Sequence, residues 1–134
     1  MPTHPYIHFQ GQCAEAMTAY AALFGGTDLQ IMLYTQGPPV PEAWKGSNRV
    51  MHAQVTLGIG TLMASDYPPG VEGSPQSGFS VMQSAPDVAT GRTWFDGLAQ
   101  GGQIIEDFKP TFFSAGFGMV QDRFGTHWII SSMA

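Results

Sequence analysis

One order of strand, helix, strand and hairpin runs along this chain twice, and that repetition restricts the fold more than any single motif does. In the first half, Tyr6 to Gln10 has strand character, and Cys13, Ala16, Met17, Tyr20, Leu23 and Phe24 recur at spacings of three and four. That spacing predicts a helix over 13–24 with one apolar stripe for a sheet, stopped by Gly25-Gly26. Ile31 to Tyr34 then reads as strand, and Val50 to Leu57 with Thr61 to Asp66 as a hairpin around Gly58-Ile59-Gly60. The second half gives a strand at Phe79 to Gln83, a helix from near Pro86 to about Gln100, and then Gly101-Gly102. A short strand follows at Ile104-Ile105, and a final hairpin pairs Phe117 to Gln121 with His127 to Ser132 around Phe124-Gly125. The two Gly-Gly pairs are 76 residues apart, whereas Val55…Ile59-Gly60-Thr61 and Val120…Phe124-Gly125-Thr126 are 65 apart. The shortfall corresponds to the proline-rich loop Gly37 to Gly46, which only the first half carries.

Tyr67 to Gly78, with Pro68-Pro69-Gly70 and Pro75, is the strongest internal boundary. It separates a first module of about 5–67 from a second of about 77–133. Each is short for an independent domain, so the expectation is a single domain over 1–134 in which the modules share a core.

Composition narrows the function. With 43% hydrophobic and 11% charged residues, the chain lacks the low hydrophobicity and high charge of disorder. Its net charge is −5, and the five cations (Lys45, Arg49, Arg92, Lys109, Arg123) are scattered. Neither nucleic acid nor an anionic membrane surface is an expected partner. A single cysteine, Cys13, rules out an internal disulfide and multi-cysteine zinc motifs. The sequence shows no secretory leader pattern and no run of 18 apolar residues, so a cytoplasmic location is expected. Small size, low charge and high apolar content favour a homodimer.

Several stretches carry a family resemblance. They are Pro5-Tyr-Ile-His-Phe-Gln-Gly-Gln-Cys-Ala-Glu-Ala-Met-Thr-Ala-Tyr…Phe24-Gly-Gly, Val50-Met-His-Ala, Leu62-Met-Ala-Ser-Asp66, Leu98-Ala-Gln-Gly-Gly102 and Asp122-Arg-Phe-Gly-Thr-His-Trp128. Together they span nearly the whole chain, which resembles the PhnB-like branch of the vicinal-oxygen-chelate (VOC) superfamily. That superfamily includes glyoxalase I, bleomycin-resistance proteins and extradiol dioxygenases. The resemblance implies an α+β fold of paired β-α-β-β-β modules, forming a curved mixed sheet around a cleft that takes a small organic molecule. Some members carry the name of a ubiquinone-pathway methyltransferase, yet this sequence has no strand–GxGxxG–helix unit.

Metal-dependent relatives place His or Glu from both modules in the cleft. The position matching the usual metal-binding Glu of the last hairpin is Ile129, and the 65-residue offset carries it to Ala64 in the first module. The usual first-strand His falls near Pro5, beside His4, and its second-module counterpart near Gln76. The resemblance therefore implies loss of the familiar four-ligand site, and neither a metal nor another cofactor is expected.

Among candidate site residues, His52 leads. A neutral imidazole there is suited to act as a base or to donate to an oxyanion, although a strand histidine bonded within the fold is the plain alternative. Asp66 shares the parity of Ala64, and on an adjacent antiparallel strand it is expected to orient His52. Its competing role is to cap the following turn. His8 lies opposite Ile7 and Phe9. His127, Arg123, Trp44 and Trp128 are expected to bind substrate, His127 by its shared parity with Ile129 and Trp44 as a lid. Asp122 is expected to bond amides near Gly125, Glu15 to favour the helix start, and Cys13 to be an inert buried thiol. The leading expectation is a small-molecule-binding protein with metal-independent chemistry at His52. Two alternatives stand beside it: a metal-assisted lyase, isomerase or dioxygenase drawing ligands from His4, His8, His52, Asp66 and His127, and a non-catalytic dimer that sequesters a toxic compound.

Overall fold

The computed structural model describes residues 1–133. The chain divides into two compact units, Met1–Pro75 and Gln76–Ala134, within the turn-rich stretch read as a boundary.

In the first unit, β1 (Tyr6–Phe9) leads into α1 (Cys13–Phe24), followed by β2 (Thr27–Leu33), β3 (Val50–Leu57) and β4 (Gly60–Asp66). These strands make a mixed sheet in the order β1-β4-β3-β2, with β1 parallel to β4 and the other neighbours antiparallel. The second unit repeats the scheme with β5 (Val81–Ala85), α2 (Val88–Ala99), β6 (Gln103–Lys109), β7 (Gly116–Gln121) and β8 (His127–Ser132) in the order β5-β8-β7-β6. The expected α+β modules are therefore present, each with its own hydrogen-bonded sheet.

Each helix covers one face of its own sheet. Ile7 and Phe9 of β1, Ala53 and Val55 of β3, and Leu62 and Ala64 of β4 are buried together with Cys13, Ala16, Met17 and Tyr20 of α1. Removing a side chain such as Met17 or Ile7 from water contributes about 1.5–3 kcal/mol. In the second unit Phe95, Leu98, Phe108, Val120, Trp128 and Ile130 are buried. Gly91 and Gly118 make room there, since a Cβ on Gly91 would stand 2.8 Å from the Phe108 ring and one on Gly118 2.7 Å from the Phe95 ring.

Several boundaries differ from the sequence expectation, and three of them have a visible local cause. β2 begins at Thr27, not Ile31, because Asp28 takes φ of +55° inside a register shift between Thr27 and Gln30, which breaks the alternation. β5 starts at Val81 because Gly78 turns the chain with φ of +78° before it. α2 starts at Val88 because Asp87 is its N-cap, accepting from the Thr90 amide at 2.7 Å.

The repeat is also offset differently in its last hairpin. Ala53 pairs with Ala64 and Gly118 with Ile130, so β3 maps to β7 at 65 residues but β4 maps to β8 at 66. The β3–β4 turn holds Gly58 and Ile59, whereas five residues, 122–126, connect β7 to β8. A one-residue shift exchanges the faces of a strand. The counterpart of Ile129 is consequently Met63, not Ala64, and Ala64 and Asp66 lie on the side of the sheet that α1 covers.

Candidate functional site

The first sheet turns a polar, aromatic surface away from α1. Alternation places Tyr6 and His8 of β1, His52 and Gln54 of β3, and Met63 and Ser65 of β4 on that face. The Tyr6 hydroxyl lies 2.9 Å from His52 Nδ1, and His52 Nε2 lies 3.0 Å from Gln54 Oε1. With the Gln54 carbonyl oxygen facing the ring, Nε2 carries the proton, and Nδ1 accepts from the Tyr6 hydroxyl. His8 Nδ1 lies 3.2 Å from the hydroxyl oxygen of Ser65, its register partner across the parallel β1–β4 pair.

The rings form a continuous run. Tyr67 and His8 stack with centroids 5.5 Å apart, His8 and Tyr6 follow at 5.3 Å, and Tyr6 and His52 at 5.6 Å. Tyr6 is 41% exposed, so its phenol presents its remaining oxygen lone pair to an incoming molecule. None of the six residues named on this face is Lys, Arg, Asp or Glu. The arrangement offers aromatic contact, hydroxyl and imidazole hydrogen bonding, and a route for one proton between Tyr6 and His52.

The expected His52–Asp66 pair does not form, which corrects the sequence reading. Asp66 is 1% exposed and lies on the α1 side. Its Oδ1 accepts from the amides of Gly11 at 2.9 Å and Cys13 at 3.0 Å, and its Oδ2 from Val50 at 2.8 Å. The carboxylate thereby supplies the start of α1, where Gln12 provides no side-chain cap. Burial foremost, and then the charge of Asp66, push the Cys13 thiol up to about 12. The same two causes raise the Tyr34 phenol above its ordinary value, and the Tyr34 hydroxyl donates to the Asp66 carbonyl at 2.8 Å.

Trp44 sits in a short 3-10 turn, Glu42–Trp44, half-buried and edge-on to Tyr34 at 5.5 Å. In the second unit, Trp128 corrects another expectation. It is fully buried, and its indole N–H donates to Asp122 Oδ2 at 2.9 Å, so it belongs to the core and not to a ligand surface. Asp122 also accepts the amides of Phe124 at 2.9 Å and Thr126 at 3.0 Å through Oδ1, which shapes the turn. Arg123 is exposed in that turn with its guanidinium 4.3 Å from the centre of the Phe124 ring. His127 is half-buried on the β8 face shared with Ile129, opposite Gln121.

Two sheets of this topology, each backed by one helix, define the class. The fold is that of glyoxalase/bleomycin resistance/dioxygenase proteins. A family enzyme from Burkholderia phytofirmans PsJN aligns over 98% of this chain and 97% of its own, with 11% identity and a TM-score of 0.63. Residues 2–131 match the family described as 3-demethylubiquinone-9 3-methyltransferase, and the chain belongs to that family. Protein YjdN of Escherichia coli K12 is 31% identical over 140 residues, covering 98% of this chain and 95% of its own length. PA1353 from Pseudomonas aeruginosa is 36% identical with a TM-score of 0.88, covering 98% of this chain and 97% of that one. The PhnB protein of Bacillus cereus is 24% identical with a TM-score of 0.75, covering 98% and 99%. The PhnB-like resemblance and the α+β fold are thus established, and no described helix is long and apolar enough to cross a membrane.

The family description names methyl transfer and the fold class includes metal enzymes, which makes a nucleoside cofactor and a metal ion the two groups to weigh against the residues present. Among the described residues, no group of three or more His, Cys, Asp and Glu side chains is placed to hold a metal ion. Asp66 is surrounded by N–H donors, and both His52 nitrogens have protein partners. Each helix follows a strand of a mixed sheet, and the only glycine in the β1–α1 connection, Gly11, gives its amide to Asp66. These donor sets fit neither a metal nor a nucleoside cofactor bound at a glycine-rich strand–helix turn, and no step is derived through either.

Of the residues on this face, His52 was singled out from the sequence as a candidate. Tyr6, Gln54, Ser65 and Tyr67 were not singled out. The available signal was strand parity: Tyr6 alternates with His8 across Ile7, and Gln54 with His52 across Ala53. Placing Ser65 beside His8 also requires the parallel β1–β4 pairing, which joins segments 57 residues apart.

Proposed function

We propose that the chain is a small-molecule-binding protein of the VOC fold whose ligand lies on the Tyr6–His52 face. The ligand is a planar organic molecule without a full charge, carrying a hydroxyl or carbonyl. The observation that carries this reading is the Tyr6–His52–Gln54 chain of hydrogen bonds, with Tyr6 at its exposed end. Tyr6 meets the ligand oxygen, and His52, aligned by Gln54, takes up the phenol proton when Tyr6 accepts one from the ligand. Proton transfer of this kind requires no metal. Ring contact with Tyr6, His8 and Tyr67 supplies the apolar part of binding.

The test is a calorimetric titration with 2-naphthol, a flat molecule with one hydroxyl. His52→Ala and Tyr6→Phe are each expected to weaken binding about tenfold, or about 1.4 kcal/mol, with circular dichroism unchanged. Equal affinity in all three proteins would overturn the assignment.

A second copy of the chain is part of this reading, as is a cytoplasmic setting. Edge strand β2 exposes Leu29, Ile31 and Met32, an apolar edge of the kind that proteins cover by pairing. Sedimentation velocity is expected to show a dimer, and Ile31→Lys to shift it toward monomer.

A further inference from the structure

We infer a second ligand site, in the second unit, for an amphipathic carboxylate. A pocket of about 510 Å³ opens between the first turns of α2 and the end of β6, within the range of about 300–1,000 Å³ usual for small-molecule sites. Its walls are Val88, Ala89, Phe108, Pro110 and Ala115 with the side chains of Arg92 and Lys109. Among the described residues, those two cations are its only ionisable lining groups and no carboxylate side chain lines it.

The two cations are not equivalent. Arg92 is held in place: its guanidinium lies 5.0 Å over the Phe108 ring, pairs with Asp96 at 3.3 Å and Asp107 at 3.8 Å, and donates to the Phe108 carbonyl. It closes the pocket as a fixed flat wall. Lys109 makes no ion pair among the described residues and is exposed at the rim. The floor is rigid as well, because Phe108 occupies a slot that exists only where Gly91 and Gly116 lack a Cβ. An apolar hollow with a fixed floor and one free ammonium at its mouth matches an aliphatic tail bearing one carboxylate. The tail fills the space along Val88, Ala89 and Pro110, and the carboxylate meets Lys109.

Amide chemical shifts during titration with octanoate, alongside 1-octanol of the same chain length, test this. Octanoate is expected to move the amides of Val88, Ala89 and Ala115 saturably, with affinity at least fivefold above that of octanol. Lys109→Gln should remove that difference, and Ala89→Trp should abolish both titrations by filling the hollow. Tyr6→Phe, which alters the face in the other unit, should leave octanoate binding unchanged, so the two sites fail independently. Equal affinity for the acid and the alcohol, shifts centred elsewhere, or no saturation would each overturn the carboxylate site. The amide dispersion of every variant reports its folding in the same spectra.

Discussion

Asp66 Oδ1 and the amide of Cys13 lie 3.0 Å apart, joining the last residue of β4 to the first residue of α1 across 53 positions of sequence. The second unit solves the same problem locally, with Asp87 capping α2 from the adjoining loop. The two helices are 75 residues apart, so the counterpart of Asp87 is Gln12, whose side chain makes no capping bond, and the amide of the neighbouring Gly11 turns to Asp66 at 2.9 Å. The first unit therefore imports its cap from the sheet, and the carboxylate that sequence parity assigned to the ligand face is committed to holding the helix.

Asp66→Ala should thus be a stability variant. It strands the amides of Gly11, Cys13 and Val50, and leaving even one or two such groups unsatisfied in the core costs about 3 kcal/mol. A urea midpoint measured by far-UV circular dichroism checks this. Asp66→Asn should fall between, because its amide N–H₂ must face at least one backbone donor. Wild-type stability in both variants would contradict the capping role.

The contrast between His52 and Asp66 shows what the sequence could reveal. Periodicity located α1 between the same residues the structure gives, because its buried stripe follows one spacing without interruption. The strands before and after glycine-rich turns were displaced by two to four residues, since Asp28 and Gly78 take left-handed conformations that hydropathy does not register. The face of Asp66 was misassigned for one reason: the β7–β8 connection is longer than the β3–β4 turn, and an alignment of the halves through Gly60 and Gly125 slips by one residue on the last strand. Trp128 was misplaced with no slip involved: it alternates with His127 and Ile129 on β8, so the parity that set those two together already set Trp128 on the opposite, buried face. Within β3 no such slip intervenes, and His52 falls on the face opposite Ala53 and Val55 as its own strand's alternation requires.

The Asp122–Trp128 contact should be measurable by a double-mutant cycle. Trp128→Phe removes an indole N–H that reaches Asp122 Oδ2 at 2.9 Å, together with part of the ring volume in a fully buried site. A loss of about 2–3 kcal/mol is expected. Asp122→Asn should cost about 1–2 kcal/mol, and the double variant less than the sum, because the two side chains share one bond. Strict additivity in urea unfolding would show that the contact contributes nothing.

Cys13 gives stability a dependence on alkaline pH. Its folded value of about 12 lies above the ordinary 9.0, so between these values the native protein keeps a proton that the unfolded chain releases. The contribution is whole below pH 9 and is lost as pH rises toward 12. The stability advantage of wild type over Cys13→Ala should shrink by about 1 kcal/mol between pH 8 and 10. Over the same range the native thiol should resist iodoacetamide and react only on unfolding. An advantage constant with pH, or rapid alkylation of the native protein, would show that the thiol is neither shielded nor raised.

The tautomer of His52 is the sharpest test of the ligand face. Gln54 Oε1 at 3.0 Å requires a proton on Nε2, which leaves Nδ1 to accept from Tyr6. Long-range proton–nitrogen correlation spectra at pH 8 should show Nε2 protonated and Nδ1 bare. Tyr6→Phe should shift the Nδ1 resonance toward that of an unbonded imidazole nitrogen while leaving the fold intact, because Tyr6 is exposed. Gln54→Leu should instead release Nε2 and let both tautomers populate. If Nδ1 carries the proton in the wild type, the Gln54 amide faces the other way and Tyr6 accepts rather than donates. Proton uptake from Tyr6 by His52 would then be impossible, and the proposed relay would fall without any ligand having been tested.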